Sequence, residues 1–162
     1  MAAKHFPTRI DIPADARTKL IAILNQHLAD STDLFTQVKH AHWNVKGPTF
    51  IALHKLFDEF AGDLVEAIDE TAERATALGG VANGTVRAAA AASRLPEFPA
   101  DTSGANAVVT ALAERYAALA KTAREAIDAT DKLGDKGTAD LFTGQSRDLD
   151  QALWFLEAHL QG

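Results

Sequence analysis

Apolar residues recur at three- and four-residue steps through most of the chain, and no stretch alternates with the period of two that marks a half-buried strand. From about Asp15 to Lys46 the stripe runs Leu20, Ile23, Leu24, Leu28, Leu34, Phe35, Val38 and Val45, which predicts one long amphipathic helix. Gly47 and Pro48 end it, and Thr49 is placed to cap a second helix. That helix carries Ile51, Leu53, Leu56, Phe57, Phe60, Leu64, Val65 and Ile68 and stops at Gly79-Gly80. A longer connection lies between Gly80 and Ser103. Within it "TVRAAAAASRL" is a short helix by propensity and "LPEFPADTS" a proline-marked turn. Ser103 opens a third long helix through Val108, Leu112, Tyr116, Leu119 and Ile127, which "KLGDKG" ends at Gly134. A fourth follows through Leu141, Phe142, Leu149, Leu153 and Leu156. The expected fold is all-α, a four-helix bundle in up-down-down-up order with a short helix in the crossover between the second and third long helices. It forms one domain over residues 1–162, with a short N-terminal tail at about 1–14.

Composition narrows the chemistry. Hydrophobic residues make up 47% of the 162 and charged residues 23%, a globular balance that sets disorder aside. With no cysteine, disulfides, zinc–thiolate sites and thiol nucleophiles are excluded, and only oxygen and nitrogen donors remain. The formal net charge of -6 argues against a surface built for nucleic acid, which relies on clustered Lys and Arg. No apolar run approaches the ~20 residues that cross a bilayer, and the first residues lack the apolar middle of a signal peptide. A cytoplasmic location is expected.

Against that background, His42, His54, Asp58, Asp69 and Glu73 stand out on helices that otherwise carry a core stripe. His54 and Asp58 are spaced i, i+4, as are Asp69 and Glu73, so each pair presents two donors from one helical face. A solvated acidic face is the ordinary reading of such a pair taken alone. The relation between the pairs changes that. Asp58 and Asp69 lie about three turns and ~16 Å apart along the helix, too far to share one metal ion within a chain. Yet His54/Glu73 and Asp58/Asp69 are both centred between Asp63 and Leu64. An antiparallel copy of the helix would set His54 beside Glu73 and Asp58 beside Asp69, so a two-fold dimer closes two identical sites. His42 continues the Phe35, Val38 stripe and is expected to point inward, either as a hydrogen-bonded core histidine or as a further ligand. Two imidazoles with three carboxylates suit divalent metals of borderline to hard character, with iron and zinc foremost.

The run "AHWNVKGPTFIALHKLFDEF" with "DETAERATALGG" closely resembles the signature of the Dps family, the DNA-protection-during-starvation proteins or mini-ferritins, and the similarity extends to "DKLGDKGTADLFTGQSRDLDQALWFLEAHL". The resemblance implies a ferritin-like fold and a hollow homo-dodecamer of tetrahedral symmetry that stores ferric mineral. It also implies a ferroxidase site at each two-fold interface, with His42, His54 and Asp58 from one subunit and Asp69 and Glu73 from its mate. Oxidation of Fe²⁺ by hydrogen peroxide, or more slowly by dioxygen, is the implied reaction. Trp43 matches a family tryptophan beside the iron, where it could donate an electron, although its size suits interface packing equally. Asp131 and Asp140 match acidic residues that line a three-fold ion-entry pore, with Lys136 where some relatives are acidic. Asp135 there reads equally as a helix cap.

The family name points to a rival function, a non-enzymatic DNA-binding protein that compacts the nucleoid. Before Asp15 only Lys4 and Arg9 are basic, Asp11 offsets them, and the chain ends in "HLQG", so DNA binding is expected to be weak or absent. Trp154 fits a core or interface position, and His5, His27, His40 and His159 read as structural or exposed.

Overall fold

The computed structural model describes residues 5–161, which contain five helices: α1 (Ala14–Asn44), α2 (Phe50–Ala77), α3 (Val86–Ala92), α4 (Ala105–Lys132) and α5 (Lys136–Ala158). α1 packs along α2 and α4 along α5, while α1 against α4 and α2 against α5 close the bundle. This is the all-α four-helix bundle that the periodicity predicts, with α3 in the crossover.

A single hydrogen bond establishes the order of directions. Lys46, just before α2, donates its N–H to the carbonyl of Ser103, just before α4, at 2.8 Å. Both helices therefore start at the same end, and the crossover returns along the 28 residues of α2, about 40 Å. To make that contact the chain leaves α1 two residues earlier than its apolar stripe predicts: Val45 is already extended, and Gly47 turns the chain at φ 123°. Thr49 sits at the start of α2 without a side-chain capping bond, and α4 is led by Gly104 rather than Ser103.

Polar side chains of α1 hold the crossover down. Asp30 accepts from the backbone and guanidinium of Arg94 at 2.8 and 2.6 Å, Asp33 from the Ser93 hydroxyl at 2.6 Å, and the Gln37 amide donates to the Pro96 carbonyl at 3.1 Å. Arg115 of α4 completes the set by donating to the Glu97 carbonyl at 2.5 Å.

The N-terminal segment, expected as a tail, is laid across the far end of the bundle. The Phe6 N–H donates to the Gly79 carbonyl at 2.8 Å, and Ile10 and Ile12 pack on the apolar cluster there. At Gly79, with φ 87°, a Cβ would come within 2.5 Å of the Phe6 carbonyl oxygen, so only glycine allows this approach. Lys4 lies outside the described residues.

The core divides in two. A larger cluster gathers Leu34, Phe57, Phe60, Leu112, Tyr116, Leu119 and Leu149, and a smaller one Leu20, Leu24, Leu78 and Phe142. Between them runs a buried polar layer of His27, Asp30, Ser31, Thr71 and Gln145. Gln145 donates to Thr71 Oγ1 at 3.0 Å and to the Ala67 carbonyl at 3.1 Å, and His27 meets Phe142 edge-on. Burial pushes His27 down from 6.5 to about 4, although Asp30 and Gln145 pull the other way. Because the unfolded chain takes up this proton first, stability is lost as pH falls from 6.5 to 4, by up to about 3 kcal/mol per chain. Denaturant titrations across that window should show the loss, and a His27→Gln variant should flatten it; an unchanged slope would refute the buried neutral imidazole.

Candidate metal centre

α1 and α2 meet at their connected end in a reciprocal arrangement. His42 Nδ1 lies 2.7 Å from the His54 carbonyl, and His54 Nδ1 lies 2.9 Å from the His42 carbonyl. A carbonyl only accepts, so each Nδ1 carries the proton and each Nε2 is left as the donor atom for a metal. The rings stack with centroids 3.8 Å apart and planes 20° from parallel. His42 is buried as its position on the stripe predicts.

Asp58, one turn along α2 from His54, brings an oxygen to 3.9 Å from His42 Nε2. The same oxygen accepts from Lys39 Nζ at 2.7 Å. That hydrogen bond, with the charge behind it, holds the Asp58 carboxyl below its usual range, so the group is ionised before any metal arrives. Lys39 Nζ also stands 5.9 Å from the centre of the Trp43 ring. Trp43 itself is 68% exposed on the single chain, so the neighbour of a buried ligand faces outward.

Asp69 and Glu73 lie further along α2, both exposed. Among the described residues no three His, Asp or Glu side chains of one chain gather closely enough to hold a metal ion. The structure stacks His42 on His54 with an Asp58 oxygen 3.9 Å from His42 Nε2, short of a closed site, and leaves Asp69 and Glu73 exposed further along α2.

Asp131, at the end of α4, is ion-paired with Lys136 at the start of α5. Asp140 is exposed one turn further on. Asp135 between them is a helix cap, accepting from the Thr138 N–H at 3.0 Å, and it also binds Arg74 of α2 through both oxygens at 2.7 and 2.8 Å. Burial drives the Asp135 carboxyl up, but the bonds from Arg74 and Thr138 outweigh it and bring the group below its ordinary range.

Three features here escape a reading of periodicity. Lys39 is a lone cation on the stripe of Phe35 and Val38, and its i, i+3 spacing to His42 is the signal that would have found it. The clamp of Arg74 on Asp135 joins residues far apart in sequence and leaves no local signal. The third is an acidic groove between α2 and α5, lined by Glu59, Asp63, Glu66, Glu70 and Asp148. There burial raises the Asp63 carboxyl, and Glu66, Asp148 and Glu59 add to the rise.

Comparison with known proteins agrees with this fold. Residues 21–162 match the ferritin-like domain. A DNA protection during starvation protein of Agrobacterium fabrum is 46% identical over 158 residues, covering 98% of each chain. Among solved structures, DpsA14 from Streptomyces coelicolor superposes with a TM-score of 0.92 at 37% identity, covering 98% of this chain and 94% of that one. A Dps protein from Vibrio cholerae, described as a member of a broad superfamily of ferritin-like diiron-carboxylate proteins, gives 0.89 at 27% identity, covering 99% and 98%. The class is therefore ferritin-like. Within it, the chain belongs to the Dps family.

Proposed function

We propose that this chain stores iron and detoxifies it, as a ferroxidase that oxidises Fe²⁺ with hydrogen peroxide, or more slowly with dioxygen, and deposits ferric oxyhydroxide inside a hollow homo-dodecamer. The observation that carries the reading is the half-site. Two histidines with their Nε2 atoms free and one ionised carboxylate stand together, while two further carboxylates sit exposed on the same helix, centred on the same point. A two-fold mate supplies Asp69 and Glu73 to the His42, His54 and Asp58 of its partner.

In such a site the imidazoles hold the ferrous substrate and the carboxylates favour the ferric product. Two ferrous ions give two electrons to one peroxide. Its O–O bond breaks, and with two protons it leaves as two waters, so no hydroxyl radical is released. In this reading Trp43, next to His42 in sequence, intercepts a stray one-electron oxidant. The acidic groove between α2 and α5 gives the cationic product a surface on which to collect. Iron is the metal of the diiron-carboxylate description, and zinc finds no support in it.

Entry of iron through a pore is assigned to Asp140 more than to Asp131, whose charge Lys136 already offsets. DNA contact is weak in this reading, because the described part of the N-terminal segment sets Arg9 against Asp11. No described helix is long and apolar enough to cross a membrane.

The test mixes anaerobic Fe²⁺ with the purified protein, adds about half an equivalent of peroxide, and follows ferric absorbance beside the native mass. A rapid rise at about twelve chain masses is expected. A rise no faster than that of a protein-free control would overturn the proposal.

A further inference from the structure

Gly62 lies inside α2, where a glycine weakens a helix relative to alanine. The chain itself offers no reason for it. A Cβ built at Gly62 meets nothing within 4 Å, and its φ is not among the positive ones. Three residues on, Val65 is 50% exposed on the same outward face, so an apolar branched side chain stands unpartnered beside an unexplained gap. The two positions share the midpoint between Asp63 and Leu64 on which His54/Glu73 and Asp58/Asp69 are centred. They are also the pair nearest to it on that face.

We propose that Gly62 and Val65 form a reciprocal knob and hole at the two-fold contact: Val65 of the partner subunit seats over Gly62, and Val65 of this chain over Gly62 of the partner subunit. The occupant of this face is a second copy of the same chain, because only an antiparallel copy of α2 returns a valine to the level of each glycine. The missing Cβ lets the helix backbones approach closely, as small residues do wherever helices cross tightly. The knob then sets the axial register, since a slide of one turn, about 5.4 Å, would lift each valine out of its hole and carry Asp58 past Asp69. The inference rests on the shared site proposed above and assigns the contact that positions its halves. Gly62 and Val65 are positioning residues and touch no metal.

Three variants of the full chain test it: Gly62→Leu, Val65→Gly, and the double variant Gly62→Val with Val65→Gly. The double variant keeps one valine and one glycine at every crossing with their places exchanged. Native mass, far-UV circular dichroism and a Co²⁺ binding isotherm are read for each. Gly62→Leu should keep its helicity, because nothing in the chain opposes the new side chain, yet lose the assembled mass or bind Co²⁺ at least about tenfold more weakly. Val65→Gly should weaken assembly or Co²⁺ binding in the same direction. The exchanged double variant should recover both, to within about threefold of wild type, which a loss of folding in the single variants would not permit. A fully assembled Gly62→Leu protein with unchanged Co²⁺ affinity would overturn the proposal, as would a double variant no better than the worse single one. If the wild type assembles but binds no Co²⁺, the shared metal site fails, and the assembled masses of the variants still decide the contact.

Discussion

Subunits carrying His54→Ala with Asp58→Ala, mixed and reassembled with subunits carrying Asp69→Ala with Glu73→Ala, should recover roughly a quarter of wild-type peroxide-dependent iron oxidation. Each variant alone should be nearly inactive, because every site in its shell lacks half its donors. A mixed dimer gathers both defects into one site and restores His54, Asp58, Asp69 and Glu73 in the other. Random pairing makes about half the dimers mixed, each with one intact site of two, which gives the quarter. The structure motivates the split, since Asp69 and Glu73 stand apart from the His42, His54 and Asp58 group on a single chain. Mixed shells verified by tagged pull-down that show no activity above the parents would mean the site is not divided between subunits.

The Asp135→Ala variant should lose about 3 kcal/mol of stability at neutral pH. The substitution removes the α5 cap and leaves Arg74 with its side chain only a quarter exposed and no counter-ion. Asp135→Asn keeps an acceptor for the Thr138 N–H and should lose less. The folded carboxyl sits below its ordinary range, so its contribution is complete above the unfolded value and disappears as pH falls through the folded one. Chemical denaturation at fixed chain concentration measures both effects. A change under about 0.5 kcal/mol for Asp135→Ala would show that the clamp does not hold α2 to α5.

Much of the architecture was legible in the sequence because four amphipathic stripes separated by Gly, Pro and Asp punctuation leave few alternatives to a bundle. The errors fall where a distant contact overrides local pattern. Val45 belongs to the apolar stripe yet leaves α1, because Lys46 is drawn to Ser103 by a bond between segments far apart in the chain. Ile51 and Val65 read as core, and on the single chain they are 58% and 50% exposed. Periodicity reports that a face is apolar and cannot say whether the fold or another subunit covers it. His27 read as structural or exposed, and it is buried in the polar layer beside Asp30, three residues on along α1, and Gln145 of α5, which no local spacing connects to it. For the candidate site, His54, Asp58, Asp69 and Glu73 stood out through their common midpoint, and His42 through the apolar stripe and the family motif. The tautomers of His42 and His54 were not, since they depend on backbone carbonyls that only the packed helices bring within reach.

The buried polar layer has a bearing on assembly. Apolar clusters tolerate sliding, because one leucine fills the place of another at modest loss. Hydrogen-bonded groups do not: a slip of α2 by one turn would take the Ala67 carbonyl and the Thr71 hydroxyl away from the Gln145 amide of α5 and strand that amide in a region closed to water. The layer therefore acts as a ratchet tooth inside each subunit and keeps the midpoint of α2 at one fixed height in the bundle. In the shell proposed for this chain, any error in that height would recur at every junction, so a few buried amides and hydroxyls would act as the gauge to which the whole container is cut.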